Sequence, residues 1–203
     1  MYRSQLFVVS GPSGVGKGTI CKMLLEEGFK AVLSISMTTR AARPGETDGE
    51  NYYFISREEF ENIIKSGGFL EYAEVYGNYY GTPKQKVLSA LEKGIDVILE
   101  IDVQGALKIK NQYPEVVLIF ILPPSMAELK NRIQGRGAET EAGINQRMNE
   151  VMKEASYIDK YDYYIINEEL TDSVSRLKSI IAAEKSRVSQ IAYEFIEKYK
   201  EEI

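Results

Sequence analysis

Short apolar runs recur along the chain: Leu6–Val9, Ala31–Ile35, Val97–Ile101, Val116–Leu122 and Tyr163–Ile166. Runs of this length suit strands buried on both faces, and the helical patterns between most of them predict βαβ units around a parallel sheet. Helix starts are marked by chemistry. Ser56-Arg57-Glu58-Glu59 and Ser125-Met126-Ala127-Glu128 read as capping boxes. Thr82-Pro83-Lys84-Gln85 joins a capping hydroxyl to a proline at the first helical position, and Gly94 closes the segment Pro83–Lys93. From Thr171 to about Lys200 the pattern is helical with few interruptions. Its last part carries an apolar stripe, Ile191, Phe195, Ile196 and Tyr199, that either packs back on the domain or meets a partner.

Two stretches break the alternation. Thr38 to Asn51 is polar, contains Pro44, Gly45 and Gly49, and leads into the aromatic runs Tyr52–Ile55 and Phe69–Tyr80. It predicts a small β-rich insert. Gln134 to Gly143 is a glycine-punctuated arginine loop between two helices, a candidate lid. The expected organisation is one α/β domain over 1–203, with a core at about 1–37, 88–133 and 148–203, the insert at 38–87 and the lid at 134–147.

The most specific motif follows the first apolar run. Gly11-Pro12-Ser13-Gly14-Val15-Gly16-Lys17 has the G-x-x-x-x-G-K spacing of a phosphate-binding loop and leads into a helical pattern, Ile20–Glu27. Glycines let successive N–H groups converge on one anion, and the helix start adds unpaired N–H groups and partial positive charge. Lys17 would lie against the outer phosphates of a nucleotide triphosphate. One position departs from the usual pattern. Gly18 stands where Ser or Thr commonly ligates magnesium, and Thr19 comes one place later.

Composition narrows the chemistry. A net charge of −5 gives no general footprint for nucleic acid or an anionic membrane. No apolar run reaches the length of a membrane span, so a cytoplasmic protein is expected. The single cysteine, Cys21, excludes an intrachain disulfide and reads as a small core residue. Histidine is absent, which removes His-based acid–base catalysis and His-ligated metals. Phosphoryl transfer needs neither, because positioning and charge stabilisation supply most of the catalysis.

Arginines cluster where a second phosphate could be held. Arg40 and Arg43 follow the second apolar run, and Arg132, Arg136 and Arg147 surround the candidate lid. A guanidinium meets phosphate oxygens in a bidentate fork, so paired arginines suit a monophosphate. Glu100 and Asp102 close the strand Val97–Ile101, a position suited to an acid near nucleotide-bound magnesium.

From about Ser4 to Lys185 the chain resembles the guanylate kinase family. The resemblance is carried by the glycine loop, Thr38-Thr39-Arg40-Ala41-Ala42-Arg43-Pro44-Gly45-Glu46, Gly49-Glu50-Asn51-Tyr52-Tyr53-Phe54, Gly77-Asn78-Tyr79-Tyr80-Gly81-Thr82, Ile101-Asp102-Val103-Gln104-Gly105 and Arg132-Ile133-Gln134-Gly135-Arg136-Gly137. It implies a P-loop kinase fold with a GMP-binding insert and a helical lid. It also implies transfer of a phosphoryl group from magnesium-bound ATP to GMP, with dGMP left open as a second acceptor. Arg40, Arg43, Tyr52 and Tyr80 would then hold the GMP phosphate, and Ser36, Glu71, Thr82 and Asp102 would read the base. Gly11 to Thr19, Arg132, Arg136 and Asn167 would bind ATP, with Asn167 near the adenine. Lys17, Arg40, Arg136 and Arg147 would act on the transferring group, and Thr19 and Asp102 are the candidate magnesium contacts, direct or through water.

Guanine presents N1–H and N2–H₂ side by side, and a carboxylate at Glu71 can accept both, whereas adenine would leave it unpaired. Simpler roles remain open. Thr82 could serve only as a helix cap, Glu71 could be a solvent-facing strand residue, and Tyr52, Tyr79 and Tyr80 could simply pack the insert. Two other functions stay in view. Gly-Lys-Gly-Thr also resembles the loop of adenylate kinases, and guanylate-kinase-like modules exist that bind partners without catalysis. Oligomeric state is left undecided.

Overall fold

The computed structural model describes residues 4–75, 77–134, 141–188 and 190–202. Its central sheet contains β1 (Leu6–Ser10), β2 (Ala31–Ser34), β7 (Asp96–Glu100), β8 (Val117–Leu122) and β9 (Tyr163–Ile166) in the order β2-β7-β1-β8-β9. Every pairing in it is parallel. The five apolar runs are these five strands. Side chains alternate across the pleat, so β1 feeds two cores. Phe7 and Val9 join Ile98, Ile119 and Ile121 on one face, and Leu6 and Val8 join Val97, Leu99 and Leu118 on the other. β1, β7 and β8 are enclosed on both faces and have no polar side, so they read as unbroken apolar runs, while β2 and β9 at the sheet edges leave Val32, Tyr164 and Ile166 exposed.

Helices cover both faces. α1 (Lys17–Glu26), α5 (Met126–Gln134), α6 (Glu141–Ala155) and α7 (Leu170–Lys185) enclose the first core through residues such as Leu24, Leu129, Val151 and Leu177. α3 (Lys84–Glu92) and α4 (Val103–Gln112) enclose the second through Val87, Ala106 and Ile109. Cys21 is buried in the first core, as expected.

The segment between β2 and α3 builds a second sheet from β3 (Met37–Thr38), β4 (Tyr53–Phe54), β5 (Phe69–Val75) and β6 (Asn78–Pro83), ordered β4-β3-β6-β5. α2 (Arg57–Lys65) packs on it: Phe60 stacks against Phe69 at 4.3 Å and Tyr79 at 5.2 Å between centroids. Ser56 and Glu59 form the full capping box at its start.

Three local expectations are corrected. Thr82 does not cap α3; Pro83 is the N-cap, with no side-chain hydrogen bond, because the Thr82 hydroxyl is drawn to Glu71. The Ser125 box is half formed. Ser125 accepts from the Glu128 N–H at 3.1 Å, while the Glu128 carboxylate turns to Arg132 Nε. The long final helix divides into α7 and α8 (Gln190–Glu201), and Phe195, Ile196 and Tyr199 on α8 are exposed rather than core. The Ile191 side chain lies outside the described ones. The apolar face of α7 already completes the first core through Ile181.

Candidate active site

β1 ends at the middle of the sheet, and the chain turns there through Gly11, Gly14 and Gly16, whose φ values are 137°, 87° and 97°. Two of these glycines also permit close approach. A Cβ at Gly11 would lie 2.4 Å from the Ile121 carbonyl oxygen, and one at Gly16 would lie 2.5 Å from Asn167 Nδ2. Gly16 is the N-cap of α1 and has no side chain to occupy the helix N-terminus, which leaves those N–H groups for an anion. Lys17 Nζ lies back over the loop, donating to the carbonyls of Gly11 at 2.6 Å and Pro12 at 3.1 Å.

Asn167 follows β9 and is almost fully buried beneath the loop. Its Nδ2 donates to the Val15 carbonyl at 2.7 Å, and its Oδ1 accepts from the Ser173 hydroxyl at 2.9 Å. The amide thus holds the loop, a role the sequence did not indicate alongside its expected place near the adenine. Arg132 Nη1 donates to the Asn167 carbonyl at 3.2 Å, and Arg147 Nη1 reaches the Ser13 hydroxyl at 3.3 Å. Both arginines therefore meet the loop or its support. Arg136 and the rest of 135–140, within the expected lid at 134–147, lie outside the described residues.

The second sheet gathers an arginine–tyrosine cluster. Arg40 lies over the Tyr52 ring at 5.4 Å, and Tyr52 meets Tyr80 edge-on at 5.9 Å. Glu46, which the sequence argument gave no site role, organises the group. It pairs with Arg40 Nη2 at 2.9 Å and accepts from the Arg43 N–H at 2.7 Å. Burial works against both charges, but the pairing outweighs it, holding Arg40 above and Glu46 below their ordinary values. The available sequence signal was its position three residues after Arg43. Tyr79 stands apart, stacked on Phe60 under the Arg57 guanidinium.

Glu71 lies on β5, 6% exposed, and accepts from the Thr82 hydroxyl at 2.6 Å. Its other oxygen packs over Gly105, where a Cβ would come within 2.8 Å. Gly105 belongs to the first turn of α4, which Asp102 caps by accepting from the Gly105 N–H at 2.9 Å. Burial, with the Asp102 charge adding to it, pushes the Glu71 carboxyl up to about 7 against the Thr82 hydrogen bond. Ser36, also nearly buried, lies between β2 and β3 and accepts at its carbonyl from Tyr53 N–H.

Two further carboxylates face the loop. Glu154 lies seven residues after Arg147 on α6, so both occupy one helix face. Burial pushes Glu154 up to about 7, opposed by the Lys17 charge and reinforced by Asp102 and Glu150. Sequence reasoning missed it, although this i, i+7 spacing was available. Glu100 ends β7 opposite Val9 of β1, and its carboxylate fills the space over Gly18 where a Cβ would lie 3.0 Å from Oε2. Thr19 is exposed on the first turn of α1. An anionic oxygen from β7 beside the first turn of α1, with a hydroxyl on that turn, suits a divalent ion that keeps most of its own water.

A glycine loop with its lysine, set at the carboxyl end of a central parallel strand and opening a helix, defines a P-loop kinase fold. The family model for guanylate kinase matches residues 3–184. A guanylate kinase of Clostridioides difficile is 56% identical over 98% of this chain and 97% of its own, and one from Caldanaerobacter subterraneus is 55% identical over 91% and 90%. The crystal structure of a guanylate kinase from Anaplasma phagocytophilum superposes with a TM-score of 0.78 at 38% identity, covering 93% of this chain and 89% of that one. The chain belongs to the guanylate kinase family. Membership implies ATP-dependent phosphorylation of GMP.

Proposed function

We propose that this chain performs ATP + GMP ⇌ ADP + GDP at a site shared between the central sheet and the second sheet. The observation that carries it is the buried Glu71–Thr82 pair beside the Arg40–Tyr52–Tyr80 cluster, a base reader next to a phosphate clamp. Guanine N1–H and N2–H₂ would donate to Glu71, the Ser36 hydroxyl would face O6, Thr82 would hold the Glu71 carboxylate in place through the proton it already donates, and Asp102 would complete the base pocket. Arg40, Arg43, Tyr52 and Tyr80 would hold the phosphate. The division into core, insert at 38–87 and lid at 134–147 follows the same assignment.

At the donor end, the amides from Gly11 to Thr19 would cradle the ATP phosphates. Lys17 would exchange its loop carbonyls for phosphate oxygens, which offer its ammonium a charged partner. Asn167 shapes the loop from beneath. An oxygen of the GMP phosphate attacks the γ-phosphorus in line, the bond from γ-phosphorus to the bridging oxygen breaks, and ADP leaves. Lys17, Arg132, Arg136 and Arg147 would balance the charge on the transferring group. Thr19 would contact magnesium bound with ATP, directly or through water, and the ion would neutralise phosphate charge there; Asp102 would reach it only with the oxygen not already given to Gly105 N–H. Closure of the lid over both nucleotides would keep water from the γ-phosphoryl. No helix among the described residues is long and apolar enough to cross a membrane, and a cytoplasmic role in purine nucleotide metabolism suits these substrates.

ADP release measured against a panel of monophosphates tests the assignment. GMP, and dGMP where the ribose hydroxyl is unread, should be turned over. AMP, CMP and UMP should give at least about 10³-fold lower kcat/KM. Equal turnover of AMP would overturn it.

A further inference from the structure

Among the glycines of the phosphate loop, Gly18 has no backbone reason to be glycine. Gly11, Gly14 and Gly16 hold positive φ, but Gly18 does not, and it occupies the first turn of α1. Any L-residue fits there, and glycine weakens a helix relative to alanine. What crowds a side chain there is Glu100. A Cβ at position 18 would lie 3.0 Å from Glu100 Oε2, 3.3 Å from Oε1 and 3.5 Å from Cδ. The carboxylate therefore lies against the space that a position-18 side chain would enter, the side chain that carries the hydroxyl of the common P-loop pattern.

We infer that Gly18 and Glu100 are an exchange pair: the Glu100 carboxylate occupies the place of a position-18 hydroxyl and takes over its part toward nucleotide-bound magnesium, and glycine stands at 18 to admit it. The inference rests on the magnesium–ATP donor proposed above. Strand register supplies the position, because Glu100 pairs with Val9, two residues before the loop begins. The charge of the carboxylate also reaches both halves of the site. It is felt at Cys21 on α1 and, after burial, is the next largest influence pushing Tyr52 up to about 12.

A carboxylate differs from a hydroxyl in one measurable respect. It repels bare phosphates and is attracted to them through an intervening cation, so its effect on ATP affinity changes sign with the metal. A neutral hydroxyl has only the favourable half. Glu100 thus makes nucleotide binding more dependent on the divalent ion than a position-18 serine would.

The test is ATP binding by calorimetry, without GMP, in magnesium and in excess EDTA. Glu100→Gln should bind ATP about three- to tenfold more tightly in EDTA and about tenfold more weakly in magnesium. Gly18→Ala should raise the melting temperature, displace the carboxylate by a few tenths of an ångström, and reduce the magnesium gain about threefold. In a Glu100→Ala background the same Gly18→Ala change should leave the gain untouched. Gly18→Ser with Glu100→Ala should recover part of the gain without the EDTA penalty.

An unchanged magnesium gain in Glu100→Gln, or equal effects of Gly18→Ala in both backgrounds, would overturn the pair. An ATP affinity indifferent to magnesium in the unaltered chain would overturn it as well. Failure of GMP turnover alongside the predicted binding pattern would remove the acceptor assignment and leave the pair standing.

Discussion

The Thr82 hydroxyl donates to the Glu71 carboxylate at 2.6 Å across the β5–β6 pair, with both side chains withdrawn from solvent. A buried carboxylate with one hydroxyl partner retains acceptor capacity. Filling it with guanine N–H groups gives recognition. Leaving it unfilled costs stability. Glu71→Gln should therefore raise the KM for GMP by about 10²-fold or more and leave the KM for ATP within about threefold, as steady-state kinetics with each substrate varied will show. The same variant should melt at a higher temperature than the unaltered chain at neutral pH, because it no longer buries a charge.

The pH dependence follows from the same carboxyl. Its value of about 7 in the ligand-free protein means that GMP binding must hold it deprotonated. GMP affinity should be level above about pH 7.5 and fall toward tenfold per unit below 7, apart from the titration of the GMP phosphate itself. Glu71→Gln shares the phosphate titration and should lack the remainder. For stability the sign is opposite to the usual carboxylate case. Between the ordinary carboxyl value, 4.5, and about 7, the folded protein keeps a proton that the unfolded chain releases, so stability falls as pH rises through this window. Glu154, raised to a similar value, adds to the slope, and denaturant melts should show Glu71→Gln removing only part of it.

Arg40 is fixed by Glu46 at 2.9 Å and by the Tyr52 ring, so its fork is already oriented. Lysine cannot reproduce the planar geometry. Arg40→Lys should lower kcat/KM for GMP by about 10²-fold, with ATP binding in the absence of GMP unchanged by calorimetry. Glu46→Gln, which loosens Arg40 without removing it, should cost less, about tenfold.

Asn167 holds the loop through Val15 and is held by Ser173. Asn167→Ala leaves the Val15 carbonyl without its donor and should cost about 1–3 kcal/mol of stability in denaturant titration. ATP affinity should fall about tenfold and GMP affinity no more than about twofold. A base-contacting residue would show a different pattern, in which the change weakens ATP far more than a nucleotide lacking adenine.

The boundary between what was legible in the sequence and what was not follows the range of the forces involved. The three inner strands β1, β7 and β8 were legible because a strand enclosed by helices on both faces carries an unbroken apolar run, and the loop was legible because backbone turns through positive φ demand glycine at set spacings. Arg40 and Arg43 were legible as a pair because one polar segment carries them, and Tyr52 opens the aromatic run that follows it. Contacts between distant segments were decided only by tertiary structure. Thr82 gave up the helix cap because Glu71 lay opposite it in an antiparallel pair, and a buried carboxylate outbids an N–H group that water can satisfy. Asn167 met Val15, 152 positions away, because β9 closes the sheet beside β8 and brings the chain beneath the loop. Position 18 needed both sources. The sequence by itself showed a glycine where a hydroxyl is common, and the pairing of Val9 with Glu100 placed the carboxylate that fills the space.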